Sequence, residues 1–181
     1  MEIKVSTENI LPIIRDATLD DIPSILDIYN DAILNTTAVY TDIPHTLDMR
    51  IAWYEDRIKN NFPVIVITLG TIVVGFGSYG SFRTFPGYRY TIEHSIYIDK
   101  RYRGYGYSKL LLERLINLAR SNNYHVMIAA IDASNEISIQ LHRKYGFEEI
   151  GIMKQVGFKF NRWLDALFMQ LVLDTTIDHT I

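Results

Sequence analysis

The chain contains no cysteine. Disulfide bridges, thiolate zinc sites and a cysteine nucleophile are therefore excluded at once. Long hydrophobic runs are missing too. No stretch approaches the roughly 18 uninterrupted apolar residues that a membrane span needs, and the N-terminus lacks the basic start and apolar run of a secretory signal. The expectation is a cytoplasmic protein with no membrane contact. Neither sign of charge dominates, since 18 Lys and Arg stand against 21 Asp and Glu for a formal net charge of −3. Such a balance gives no field to hold a phosphate backbone, so nucleic acid is not expected as a partner and a small molecule is. Internal repeats and low-complexity linkers are also absent. What is there is ordinary for a folded globular chain: 181 residues, 48% hydrophobic and 22% charged, enough for one domain with a packed core.

Residues 1–10 are polar with little periodicity and read as an N-terminal extension or a leading strand. The domain proper spans 11–174, and 175–181 form a tail. It opens with the extended run Leu11 to Arg15. Asp20 and Asp21 then form an acidic cap ahead of Ile22-Pro23 and a first helix whose apolar positions are Ile22, Ile25, Leu26 and Tyr29. Residues 35–41 read as a loop or short strand, and 46–60 as a second helix. Two β-rich runs, 64–69 and 72–79, are joined by Gly70-Thr71 and should pair as an antiparallel hairpin. After a Gly/Pro loop, 90–98 is a strand that leads into a turn rich in glycine and arginine and then a helix over 109–121, striped by Leu111, Leu112, Leu115, Ile116 and Ala119. Residues 125–131 are a strand. Residues 134–145 are a helix with Ile137, Ile139, Leu141 and Tyr145 as burial candidates and Gly146 as its stop, and 147–152 and 166–172 are the last strands. The order predicts an α/β domain with a mixed sheet.

A strand, a glycine-rich turn and a helix together present backbone N–H groups and a helix dipole to an anion such as a phosphate. Gly104 and Gly106 would equally make a plain tight turn. The dinucleotide-binding fingerprint is disfavoured, because no third glycine falls in register and no acidic residue follows at the right distance. The string Arg103-Gly104-Tyr105-Gly106-Tyr107-Ser108 resembles the pyrophosphate loop of the GNAT superfamily of acetyltransferases, with Ser108 standing where the pattern has glycine or alanine. A second register, from Arg101, leaves the following leucines two residues late.

The resemblance extends to Ile14 to Ala17 with Ile28 to Ala32, to Glu93 to Ile98, to Asn135 through Phe147, and to Val156 through Asp165. All of these look like segments of the phosphinothricin and methionine sulfoximine acetyltransferases. The fold this implies is a GNAT-like single domain with a central mixed, mostly antiparallel β-sheet flanked by helices on both faces. The activity implied is acetyl-CoA dependent N-acetylation, without a metal, of the α-amino group of a small glutamate- or methionine-like amino acid. Similar enzymes commonly pair as homodimers. An acyl-CoA-binding sensor, or a module that acetylates proteins, is the competing reading.

Acetyl transfer to an amine needs an unprotonated nucleophile, a polarised carbonyl and a proton for the leaving thiolate. An α-amine titrates near about 7.7–8.0, so a carboxylate poised to take its proton is expected. Glu93 is the residue the resemblance puts there. By the same resemblance, the backbone of Ile96, Tyr97 and Ile98 pairs with the coenzyme's pantetheine amides, and the loop Arg103 to Ser108 holds its pyrophosphate. Asn135 either caps its helix or hydrogen-bonds the coenzyme. His142 stands where many relatives carry the tyrosine that protonates the thiolate. Arg83, with Tyr88 and Arg89, is the candidate clamp for a substrate carboxylate, against the alternative of a solvated loop, and the resemblance, by family position alone, puts Thr36, Thr37 and Tyr40 on the opposite wall. Phe85 replaces a second basic residue of some phosphinothricin enzymes, which leans the expectation toward methionine sulfoximine or sulfone.

Overall fold

The computed structural model describes residues 11–173. In chain order they form β1 (Pro12–Asp16), α1 (Ile22–Asn35), α2 (Leu47–Lys59), β2 (Val64–Leu69), β3 (Ile72–Ser81), β4 (Thr91–Ile98), α3 (Tyr107–Ser121), β5 (Val126–Asp132), α4 (Glu136–Lys144), β6 (Glu148–Lys159) and β7 (Arg162–Val172). The extension at 1–10 and the tail at 175–181 lie outside the described residues.

The strands make one sheet in the order β1-β2-β3-β4-β5-β7-β6. Among the described strands only β4 and β5 run parallel, because α3 carries the chain back across the sheet between them. One strand in from the β1 edge, β2 is buried at every position, as a strand covered on both faces must be. Val64 and Val66 meet Ile25 and Ile28 of α1 on one face, while Ile65, Ile67 and Leu69 join Leu111, Leu112 and Leu115 of α3 on the other. The α3 stripe is wholly buried as its spacing predicts, and each such leucine or isoleucine contributes about 1.5–3 kcal/mol. Helices therefore cover both faces of the mixed sheet. Gly70, at φ 58°, closes the β2–β3 hairpin in the left-handed conformation that tight turns require.

Several local expectations change. Asp21 does not cap α1 with its side chain; the carboxylate turns back to Arg15, at 2.6 and 2.8 Å, and to the Thr18 N–H at 2.8 Å. Residues 35–41 contain no strand. The third helix begins at Tyr107, two residues earlier than its leucine pattern suggests. In α4 the inward positions are Ile139 and His142, while Ile137 is 87% exposed because the first turn stands at the mouth of a cleft instead of over the core. The largest difference lies in β6 and β7, which run on into one long hairpin closed by the two-residue turn Phe160-Asn161, both residues at positive φ. Two register shifts, ahead of Gly151 and of Gly157, and an outer face open to solvent erase the alternation by which a strand is read from sequence.

Candidate active site

Pairing between β4 and β5 lasts only from Thr91 with Val126 to Glu93 with Ile128. Beyond that point β4 stays with β3 as far as Ile98, β5 stays with β7 as far as Asp132, and the two strands part. A cavity of about 930 Å³ fills the wedge between them. Every backbone N–H and C=O needs a partner, so the facing edges from His94 to Ile98 and from Ala129 to Asp132 are a template for an extended ligand that pairs like a strand. Ile96, Tyr97 and Ile98 all line this wedge.

The glycine-rich turn closes one end of the wedge. Gly104 and Gly106 have φ of 88° and 83°, and Gly106 is the residue from which α3 starts. Arg103, Gly104, Gly106, Tyr107 and Ser108 line the cavity. The last two belong to the first turn of α3, whose N–H groups have no intrahelical acceptor and carry the positive end of the dipole. Tyr105 lies outside the lining, 71% exposed and stacked on Tyr107 at 5.9 Å. Arg101 is held by Asp99 at 2.6 Å and does not reach the cavity, so of the two arginines only Arg103 belongs to it. Asp31 of α1 anchors this corner through Lys100 at 2.9 Å and Arg103 at 3.5 Å.

On the opposite wall stands α4. Asn135 caps it, its side-chain oxygen accepting the Ser138 N–H at 3.1 Å, and it also lines the cavity with its amide nitrogen left to donate. His142 is buried beside the wedge. Its Nδ1 lies 2.7 Å from the Ser138 carbonyl, and its Nε2 lies 3.1 Å from Nε2 of His94. A carbonyl only accepts, so Nδ1 carries the hydrogen; in the neutral pair His94 then donates to His142, and the Nδ1 of His94 is a buried acceptor without a partner among the described residues. Burial holds the His142 ring below its ordinary titration range, against a smaller upward pull from the Ser138 carbonyl. Burial and His142 push His94 down to about 3.

Glu93 stands where β4 and β5 begin to part, half-buried, on the sheet face covered by α1 and α2. Desolvation raises its pKa, and the nearby charge of Arg83 opposes that rise. Arg83 is an exposed residue of the β3–β4 loop with its guanidinium 5.0 Å from the Phe82 ring, and Tyr88 packs edge-on against the same ring at 5.8 Å. Glu93, Arg83 and Tyr88 therefore form a second group that does not line the wedge, whereas Arg89 is turned away onto the Pro86 carbonyl at 3.2 Å. Thr36 and Thr37 line the wedge from the loop after α1.

Three polar residues carry no role in the sequence reading: His94, Asp132 and Lys159. His94 shares its face of β4 with Ile92, Ile96 and Ile98, and a histidine in an apolar stripe was the available signal. Asp132 ends β5 at the cavity wall. Burial pushes its carboxyl up, but hydrogen bonds from Ser134 and Thr37 outweigh this and hold it below the usual range. Lys159 could be found only through the tertiary contacts described below.

A central sheet whose two parallel strands diverge beside a phosphate-ready helix N-terminus defines an acyltransferase-type cleft. Comparison with known proteins agrees: the sequence pattern of the acetyltransferase (GNAT) domain matches residues 14–168. The L-methionine sulfoximine/L-methionine sulfone acetyltransferase of Pseudomonas aeruginosa is 49% identical over 90% of this chain and 95% of its own. The phosphinothricin N-acetyltransferase of Alcaligenes faecalis is 32% identical over 91% and 84%. Among solved structures, an N-acetyltransferase from Staphylococcus aureus superposes with a TM-score of 0.89 at 50% identity, over 90% of this chain and 99% of its own. An acetyltransferase from Salmonella typhimurium, solved with its cofactor acetyl-CoA, gives 0.89 at 44% identity, over 94% and 96%. The chain belongs to the GNAT acetyltransferase family and is an acetyltransferase.

Proposed function

We propose that the protein moves the acetyl group of acetyl-CoA onto the α-amino group of a small methionine- or glutamate-like amino acid, with methionine sulfoximine and methionine sulfone ahead of phosphinothricin. The observation that carries this reading is the parting of β4 and β5 directly beyond Glu93, which would bring an extended thioester up to a carboxylate of raised pKa. The free edge of Ile96 to Ile98 would pair with the pantetheine amides, the N–H groups of the Arg103 to Ser108 loop would take the pyrophosphate, and the Asn135 amide would donate from the far wall. The names of the relatives support the substrate class, and the higher identity to the methionine sulfoximine enzyme supports the order.

In the reaction Glu93 accepts a proton from the ammonium, directly or through water. The freed nitrogen attacks the thioester carbon, and the C–S bond breaks to leave a thiolate that takes up a proton. That proton balances the second one the nitrogen gives up as the amide forms; in the neutral pair His142 Nε2 carries no hydrogen, so His142 passes the proton on only by first taking it up at Nε2 and then turning from His94 to the sulfur. Arg83 holds the substrate carboxylate, with Tyr88 beside it, and Thr36 and Thr37 form the facing wall.

The same reading places the enzyme in the cytoplasm as a homodimer, with no nucleic-acid or membrane partner. Among the described residues no helix is long and apolar enough to cross a membrane, and the exposed apolar side chains of the β6–β7 hairpin offer surface for a second copy. The test is a panel of free amino acids and their sulfoximine, sulfone and phosphinate analogues, with thiol release from acetyl-CoA as readout. Turnover highest on methionine sulfoximine or sulfone is expected. Turnover on none of the panel, or only on a protein substrate, would sink the assignment.

A further inference from the structure

Lys159, at the end of β6, is 1% exposed and makes no ion pair among the described residues. The Asp42 carboxylate acts on it only through space, against the desolvation that lowers its pKa, and a buried ammonium without a direct anionic partner is destabilising unless each of its hydrogens is used. Here all three are used, on the carbonyls of Ile33, Thr36 (2.7 Å) and Val39 (2.7 Å). Ile33 and Thr36 belong to the last turn and C-cap of α1, where carbonyls lack intrahelical partners and the dipole favours a cation. Val39 lies in the loop that follows. A methionine would fill the same space without the cost of desolvation, but it would leave those three carbonyls without their donor.

A second link joins the same partners. Gly157, two residues earlier on β6, has no Cβ, and the Tyr40 ring occupies the place where one would stand. The Tyr40 hydroxyl donates to the Asp165 carbonyl of β7 at 3.0 Å. Between these anchors lie Thr36, Thr37 and Ala38, which face the cavity.

We propose that Lys159 is a positioning residue for the amino-acid substrate: the β6–β7 hairpin holds segment 36–40 through it, and thereby sets the wall that Thr36 and Thr37 present. The proposal rests on reading that wall as the amino-acid side of the site. Lys159→Met keeps the length of the side chain and removes all three donors. Amide hydrogen exchange of residues 36–40 is expected to accelerate, and the KM for methionine sulfoximine to rise by about tenfold or more, since small misplacements in a site are costly. The Kd of acetyl-CoA, measured by calorimetry, is expected to stay within about threefold of the parent. Lys159→Arg should not restore the parent KM, because a planar fork cannot reach three carbonyls arranged around one point. Gly157→Ala, which displaces the Tyr40 ring and leaves the ammonium alone, should raise the same KM.

Unchanged exchange or an unchanged KM in a folded Lys159→Met protein overturns the proposal, as does a parallel loss of acetyl-CoA affinity. If both variants fail to fold, the hairpin belongs to the core and not to the site, which also overturns it. Thr37→Val separates the two layers of the argument: an unaltered KM there removes the reading of the wall, whereas the exchange result still reports whether Lys159 orders the segment.

Discussion

At the scale of single residues, Glu93 has opposing influences on it: desolvation raises its pKa and Arg83 lowers it. A base works only when ionised, so activity should fall away on the acid side through a pKa above that of an ordinary carboxylate. Removing Arg83 removes the opposing charge. Arg83→Ala is therefore expected to move the acidic limb of the kcat/KM profile to higher pH, besides weakening the amino acid, while Glu93→Gln should lose that limb and lower kcat by roughly 10²–10⁴. The stability effect has the opposite sign to the catalytic one. A carboxyl whose pKa is raised on folding binds its proton more readily in the folded state, so its ionised form costs stability at pH values above that pKa. Glu93→Gln should thus raise the midpoint of thermal unfolding at neutral pH while abolishing most turnover. A variant that keeps the parent rate, or melts lower than the parent, would remove Glu93 from this role.

At the scale of elements, the N-terminus of α3 is where backbone geometry and ligand chemistry meet. Gly106 has open space where a side chain would begin but sits at φ 83°, so any other residue there costs about 1–2 kcal/mol for the left-handed conformation. Gly106→Ala should cost that much stability and little else, whereas Gly106→Glu adds an anion at the proposed pyrophosphate position and should abolish acetyl-CoA binding by calorimetry. Equal affinity in the glutamate variant would show that the phosphate lies elsewhere. This turn was legible in the sequence because Gly, Arg and a following apolar stripe all act locally. The β6–β7 hairpin was not: its extra residues, positive-φ positions and solvent-facing apolar side chains are paired only by strands brought alongside in the fold. Likewise Asn135 kept two readings in the sequence, and the structure shows it acting as a cap while still lining the cleft.

For the whole molecule, the outer face of the same hairpin sets the expectation of assembly. Trp163 is 62% exposed and packs edge-on against Phe158 across the strands at 5.1 Å, and Ile150, Ile152 and Met153 of β6 are exposed as well. Exposed apolar side chains along an edge hairpin are surface that solvent disfavours. Sedimentation equilibrium is expected to return a dimer for the parent chain and a monomer for the paired change Ile152→Glu with Trp163→Glu. Dimers that persist in the double variant would place the contact on another face.

The periods of its apolar residues let the sequence by itself determine the helices, the central strands and the phosphate-ready turn, because each depends on neighbours within a few positions along the chain. It also brought Glu93 and the turn onto one strand-to-helix unit. Which groups face one another was decided only by the tertiary structure. The wedge exists because β4 and β5 part after Glu93 and Ile128, and the His94–His142 pair exists because α4 packs across β4. The buried Lys159 ammonium finds its three carbonyls 120 to 126 residues away in the chain, a separation at which no local pattern carries information.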